Sequence, residues 1–360
     1  MAMKLPSITI AFQTAGIEAI GRSEKGVVAL LLKGTEDSAK TYTIYDATDI
    51  PETLSAENKA YISRALIGYT KPPRYVLVYV GASTEDDLTK GLEYLETQKF
   101  DYMAGPPDIS SEQAQAVATW IKNQRENNHA IYKAVLPNTA ADHECIINMT
   151  TEACDMGDDD HTKLSAAQMC SRIAGLIAGT PMKIACTYAP LPELADCNRL
   201  SRADGDKAIG EGKFILIHDG QKVKVGRGIN SFVTTIAGKG TAFQKIKIVE
   251  CMHMMEQDIR QTAEDSYIGK YPNSYDNKCL LMTAIDGYLE QLYLDELIQE
   301  GWTVEINMEK TRAYLKSVGV DVSGLSDDAV RRADTGDKVF IRIKSNILDA
   351  IEEIDIDANI

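Results

Sequence analysis

Residues 75–81 read YVLVYVG, apolar at nearly every position, and residues 27–33, VVALLLK, repeat the pattern. Successive side chains of a strand point to opposite faces of its sheet, so a run without polar alternation needs apolar cover on both. The two runs therefore read as strands of a sheet layered with helices. The chain around them supplies the helices. Ser83 or Thr84 stands before EDDLTKGLEYL as a start signal, and Ser110 with Gln113 makes a capping box before AQAVATWIKNQREN. FDYMAG (100–105), AIYKAVLP (130–137) and ECIINMT (144–150) read as further strands. Strand and helix thus alternate from Val27 to Pro190, which predicts an α/β layer with a mostly parallel sheet. In the next helix, KLSAAQMCSRIAGLIAGT, the small residues Ala174, Gly175, Ala178 and Gly179 recur at helical spacing and predict the close approach of another backbone.

Beyond this region GKFILIHDGQKVKVGRGINS (212–231) predicts a hairpin with a type I′ turn at Asp219-Gly220. Two long helices follow, the first marked by Val249, Met252, Met255 and Ile259, the second by Leu281, Ile285, Tyr288 and Leu292, with Tyr271-Pro272-Asn273-Ser274 between them. TVEINM (303–308), a short helix around KTRAYLK, a Gly/Ser/Asp linker and the strand KVFIRIK (338–344) complete the body. The boundaries predicted are an N-terminal arm at 1–22, an α/β domain at 23–238, a further domain at 239–345 and a C-terminal arm at 346–360.

Both ends carry strand patterns. LPSITIAF (5–12) alternates Ile8, Ile10 and Phe12 with Ser7, Thr9 and Ala11, and AIEEIDIDANI (350–360) sets Ile351, Ile354 and Ile356 among Glu352, Glu353, Asp355 and Asp357. Ordering a residue costs about 1 to 2 kcal/mol of backbone entropy, so a terminal strand holds only if it joins a sheet. Either the ends fold back on their own molecule, or they reach a neighbour by strand addition.

The chain has 360 residues and a formal net charge of −15, which disfavours nonspecific attraction to nucleic acid or anionic membrane. Its seven cysteines are odd in number and form no CxxC pair, so they read as small buried residues of a reducing compartment. No run reaches the roughly 18 apolar residues of a membrane span, and the start lacks a secretion-signal layout. Chemistry-bearing motifs are weak. Gly238-Lys239-Gly240-Thr241 has the residues of a phosphate loop in the wrong order and reads as a hinge before a helix, and Gly226-Arg227-Gly228 is not GxGxxG. Gly157-Asp158-Asp159-Asp160-His161 could offer ligands to a cation, but consecutive residues cannot all converge on one ion. No catalytic, cofactor-binding or metal-binding residues are assigned. Lys310, Arg312 and Lys316 form a basic helix face that is either solvated or a docking surface.

Four segments together carry a resemblance: LPSITIAFQTAGIEAIGRSEKGVVALLL, RIAGLIAGTPMKIACTYAPL, DSYIGKYPNSYDNKCLLMTAIDGYLEQL and TGDKVFIRIKSNILDAIEEIDIDANI. In this order they resemble contractile phage tail sheath proteins, most of all the compact form of prophage and bacteriocin-like tails of Gram-positive bacteria. The resemblance implies a conserved C-terminal domain nearest the tail tube, an outer α/β domain, and extended arms that complete a sheet in a neighbouring subunit. Carried onto this chain, the arm contacts would be Ile8, Ile10 and Phe12 at one end, Ile351, Ile354 and Ile356 at the other, and Val339, Ile341 and Ile343 in the receiving strand; Lys310, Arg312 and Lys316 would face the tube. It further implies hexameric rings stacked into a helical sheath, tube, baseplate and tail terminator proteins as partners, no cofactor, no nucleic acid and no membrane binding. Assembly would occur in the host cytoplasm before incorporation into a virion or bacteriocin particle. The alternative is a cytosolic α/β enzyme using a nucleotide or metal.

Overall fold

The computed structural model describes residues 20–21, 25–84 and 88–358. The N-terminal strand expected at Ile8, Ile10 and Phe12 lies outside the described residues. The chain divides into two compact units, one of Ser23–Gln257 with Ile347–Ile360, the other of Met1–Arg22 with Asp258–Asn346. The division between Gln257 and Asp258 falls inside a helix, whereas the sequence reading changes domain at 238/239.

In the larger unit the order is β1 (Val27–Leu32), β2 (Lys40–Ile44), α1 (Ala56–Ile67), β3 (Tyr75–Val80), α2 (Thr89–Glu96), β4 (Tyr102–Ala104), α3 (Ser111–Asn127), β5 (Lys133–Pro137), β6 (Ile146–Met149), β7 (Cys154–Asp155), β8 (Lys163–Leu164), α4 (Ala166–Ala178), α5 (Arg202–Gly210), β9 (Lys213–Phe214), β10 (Leu216–His218), β11 (Val223–Val225) and α6 (Ile246–Thr262). Seven strands form one sheet in the order β2-β3-β1-β4-β5-β6-β9. β2 runs antiparallel to β3 at one edge, and the other pairings are parallel.

The double burial expected of β1 is met by its period of two. Val28, Leu30 and Leu32 pack with Tyr61 and Ile62 of α1 and Ile173, Leu176 and Ile177 of α4. Val27, Ala29 and Leu31 pack on the other face with Leu92 and Leu95 of α2 and Val117 and Ile121 of α3. The Ser110–Gln113 capping box opens α3 as expected, and a second, Ser165 with Gln168, opens α4. The small-residue stripe of α4 meets α1 and the turn after it: a Cβ added at Gly175 would lie 1.9 Å from the Ala65 carbonyl oxygen, and one at Gly179 would lie 2.1 Å from that of Lys71.

Three local expectations are corrected. α2 begins at Thr89, not behind Ser83 or Thr84, and its N-cap Leu88 makes no side-chain cap bond. The 212–231 hairpin divides its first strand, with β9 joining the main sheet beside β6 and β10 pairing with β11. Its loop spans four residues, not a two-residue type I′ turn, because Asp219 Oδ1 accepts from the Gln221 and Lys222 N–H groups and closes a wider loop around Gly220, at φ +98°. Gly238-Lys239 sits in a tight turn closed by reciprocal hydrogen bonds between Ile236 and Lys239, which leads through a 3₁₀ turn at Thr241–Gln244 into α6.

The smaller unit holds the end of α6, a π-helical turn at Ala263–Tyr267, then α7 (Tyr275–Leu294), β12 (Thr303–Ile306), α8 (Met308–Ser317), α9 (Asp327–Arg332) and β13 (Ile341–Lys344). Ser274 caps α7, which buries Ile285, Tyr288 and Leu292, and the Tyr288 hydroxyl donates to Asp258 Oδ2 at 2.6 Å. The Gly/Ser/Asp stretch expected as a linker contains α9. Ser326 caps it, Asp327 and Asp328 occupy its first turn and Arg331 and Arg332 its last, matching the helix dipole, and Val330 packs on Leu315 and Val322.

The α1–α4 contact gives a direct test by chemical denaturation of the soluble subunit. Gly175→Ala is expected to lower stability by about 2 kcal/mol, since the added carbon meets backbone that cannot step aside. Gly287→Ala, with open space around it in α7, is expected to raise it by about 1 kcal/mol.

Candidate inter-subunit surfaces

β12 and β13 pair antiparallel from Thr303↔Lys344 to Ile306↔Ile341, and among the described residues their sheet holds no third strand. A two-stranded ribbon is marginal by itself, and each outer edge presents a row of backbone donors and acceptors. Ile306 is buried, Ile341 and Ile343 are half-buried and Val339 is exposed. Regular strand begins only at Ile341, not at Lys338, although the Asn307 N–H still donates to the Phe340 carbonyl at 2.8 Å. Arg342 Nη2 reaches Glu309 Oε2 at 2.9 Å on the polar face.

The C-terminal segment has the opposite character. Its described residues form no strand beyond Ile347, and Ile351, Ile354 and Ile356 are 87%, 76% and 77% exposed. The strand expected from Ile354 onward is therefore not formed over residues 354–358, which pair with no edge among the described residues. Isoleucines left this far in water amount to an unburied apolar stripe.

On α8, Lys310 and Lys316 are exposed. Arg312 is occupied: its Nη2 bonds Asp327 Oδ1 at 2.7 Å and its guanidinium also donates to the carbonyls of Val322 and Leu325. The sequence brings the three together on one helix, but Arg312 holds the loop before α9.

A buried charge cluster in the larger unit was not singled out from sequence. Glu250 of α6 accepts from Lys133 of β5 and from Lys25, each at 2.8 Å, and from the Tyr102 hydroxyl of β4. Glu250 and Lys133 are each 3% exposed. Burial works against the Glu250 carboxylate, yet Lys133 and Lys25 outweigh it and hold its pKa well below the usual range. Arg125 of α3 adds a fork onto Glu256 at 3.0 and 2.6 Å. Burial, followed by the nearby Lys133, pushes His253 well below its ordinary value, so it is neutral. The signal available was a charge inside an otherwise apolar run, IYKAVL and IVECM.

The acidic loop at 157–161 joins β7 to β8. Asp158 Oδ1 accepts from the Thr162 N–H at 2.7 Å, His161 Nδ1 lies 3.4 Å from Asp155 Oδ2, and among the described residues no three His, Cys, Asp or Glu side chains converge as a ligand set. Lys239 of the former phosphate-loop candidate pairs with Glu144 at 2.8 Å.

The profile of the phage tail sheath protein central domain matches residues 81–231, and that of the phage tail sheath C-terminal domain matches residues 238–360. The chain belongs to the phage tail sheath protein family. It is a structural subunit of a phage or prophage tail, in a family that is not enzymatic, which removes the enzyme alternative. It is 38% identical over 356 residues to the tail sheath protein of Clostridium phage phiCD119, covering 98% of each chain. Among solved sheath structures, the sheath tail protein of Desulfitobacterium hafniense superposes with a TM-score of 0.69 at 18% identity, over 84% of this chain and 94% of that one. The helical sheath of the anti-feeding prophage in its contracted state superposes with a TM-score of 0.72 at 14% identity, over 99% of both chains.

The charge cluster yields a prediction about the sheath subunit. Glu250→Gln strands two buried ammonium groups and is expected to cost about 3 to 5 kcal/mol at neutral pH. A carboxyl whose pKa is depressed by folding contributes fully above its ordinary value, here 4.5, and loses that contribution as pH falls through the folded value. Urea titrations of wild type and variant should therefore begin to converge below about pH 4.5 and meet only where the folded carboxyl takes up its proton.

Proposed function

We propose that copies of this chain polymerise by lending their terminal arms to one another's β12–β13 ribbon, forming stacked hexameric rings around a tail tube that shorten and widen to drive the tube through a target envelope. The observation that carries this reading is a ribbon with two strands and a tail with none, among the described residues, whose apolar periods match. β13 alternates Ile341, Arg342, Ile343, Lys344, and the tail alternates Ile354, Asp355, Ile356, Asp357. Side by side, their isoleucines share one face and their opposite charges the other, each such cross-strand pair contributing about 0.2 to 1 kcal/mol. The N-terminal arm at Ile8, Ile10 and Phe12 would fill the remaining edge. Such donation is head to tail and so extends without closing on a pair. The energy for contraction is a difference in inter-subunit packing stored at assembly, and the reaction needs no cofactor. Baseplate and terminator proteins bound the ends of the column.

Electron microscopy of the purified full chain tests this, with light scattering as the quantitative readout. Wild type is expected to form tubes of regular girth, and deletion of residues 354–360 is expected to leave a folded subunit that stays dispersed. A deleted chain that polymerises like wild type would sink the reading.

Lys310 and Lys316 are the exposed cations of α8 and are assigned to an acidic face of the tube, with Arg312 in support. Lys310→Glu with Lys316→Glu should weaken co-sedimentation with tube protein by about tenfold and leave sheath polymer intact. Unchanged co-sedimentation would withdraw the assignment.

A further inference from the structure

The root of the C-terminal segment is held differently from its tip. Ile347, Leu348, Ala350 and Glu352 are partly buried, whereas every described residue from Glu353 to Ala358 is exposed. The change coincides with a set of donors on the body of the same unit. Arg227 Nε donates to Glu352 Oε2 at 2.9 Å and its Nη2 to Glu353 Oε1 at 3.0 Å. Lys245 Nζ bonds Glu352 and lies 3.3 Å from Asp349 Oδ2. Lys247 Nζ donates to the Leu348 carbonyl. The Thr187 hydroxyl accepts from the Gly228 N–H at 2.9 Å and donates to Glu352 Oε1. The Glu352 side chain is only 6% exposed. Burial opposes its ionisation, but bonds from Lys245, Thr187 and Arg227 keep its pKa below the ordinary carboxylate value.

The Gly226-Arg227-Gly228 triplet, which fits no phosphate-loop pattern, supplies the geometry. A Cβ at Gly226 would meet Ile215 Cγ1 at 3.0 Å, and one at Gly228 would meet Cys186 Sγ at 2.9 Å. Two glycines thus press this backbone onto the body while the arginine between them spans two consecutive carboxylates, a use of the guanidinium fork that lysine cannot reproduce.

We propose that Arg227, Lys245, Lys247 and Thr187 form a clasp that fixes the root of the C-terminal arm to its own subunit, so that only the segment beyond Glu353 is delivered to a second copy of this chain. The proposal rests on the arm-donation reading and adds to it a positioning role for Glu352. It also sets the load path. Tension on a donated tip passes at Glu352 into the unit that carries the clasp, and the connection at Ser345-Asn346 is spared. Charge-assisted hydrogen bonds screened from water suit that task, because added salt weakens them less than exposed pairs.

The test uses the full chain with two readouts: the rate at which proteinase K cuts within residues 347–352 of the dispersed subunit, followed by mass spectrometry, and the polymerisation threshold by light scattering. Glu352→Gln keeps the shape and removes the charge; it should speed cutting and raise the threshold, each about tenfold. Arg227→Lys, which loses one of two carboxylate contacts, should shift both in the same direction by less, and it decides the matter if Glu352→Gln does not yield folded protein. Either readout left unchanged, or a lowered threshold, overturns the clasp. Ile354→Asp with Ile356→Asp separates the two readings: it should abolish polymer while root cutting stays at the wild-type rate. Polymer from that variant would count against arm donation, whatever the clasp does.

Discussion

A carboxylate that stays ionised away from water needs positive charge or hydrogen-bond donors at contact distance, and Glu250 meets Lys25 and Lys133 in the interior of the larger unit. The arrangement ties α6 to β5, and through the Tyr102 hydroxyl to β4, so that helix and sheet are registered by charge as well as by apolar packing. Hydrophobic contact alone permits sliding, because it is non-directional. Hydrogen-bonded charge does not, since a shift of one residue would strand an ion. The same helix runs on past Gln257 into the residues of the second unit.

Much of the larger unit was legible in the sequence because its signals are local. β1 and β3 announce burial on both faces by apolar side chains at every position, Ser110 and Gln113 announce α3, and the small residues of α4 announce a close neighbour that proves to be α1. The charge cluster was not legible, because Lys133 and Glu250 are separated in the chain and each by itself looks like a polar interruption of an apolar run. The hairpin loop was misread since Asp219 serves as an acceptor for two N–H groups rather than as a turn residue alone. α9 escaped notice because six residues are too few to show a period. The tail illustrates a different limit. Its alternation suits a strand, yet residues 354–358 form none among the described residues, because a strand also needs a partner edge that a local pattern does not specify.

Membership of the tail sheath family turns these features toward mechanics. What matters in such a subunit is which parts are finished and which are not. The body of the larger unit is finished in this sense, with the central strands β1, β4, β5 and β6 buried under helices. Among the described residues the ribbon of β12 and β13 is two strands wide, and the tail leaves its isoleucines in water. The Gly-Arg-Gly triplet holds the root of the tail on the body of the larger unit.

The alternation of acids and isoleucines in the tail has one more effect. Two tails brought together side by side would set Asp355 and Asp357 against like charges, and such pairs are destabilising across strands. β13 carries Arg342 and Lys344 in the same rhythm. On the donation proposed above, a segment that resists its twin yet suits β13 can be kept at high concentration without clumping into fibrils, and that preference rests on the two carboxylates of Asp355 and Asp357 rather than on any folded recognition surface.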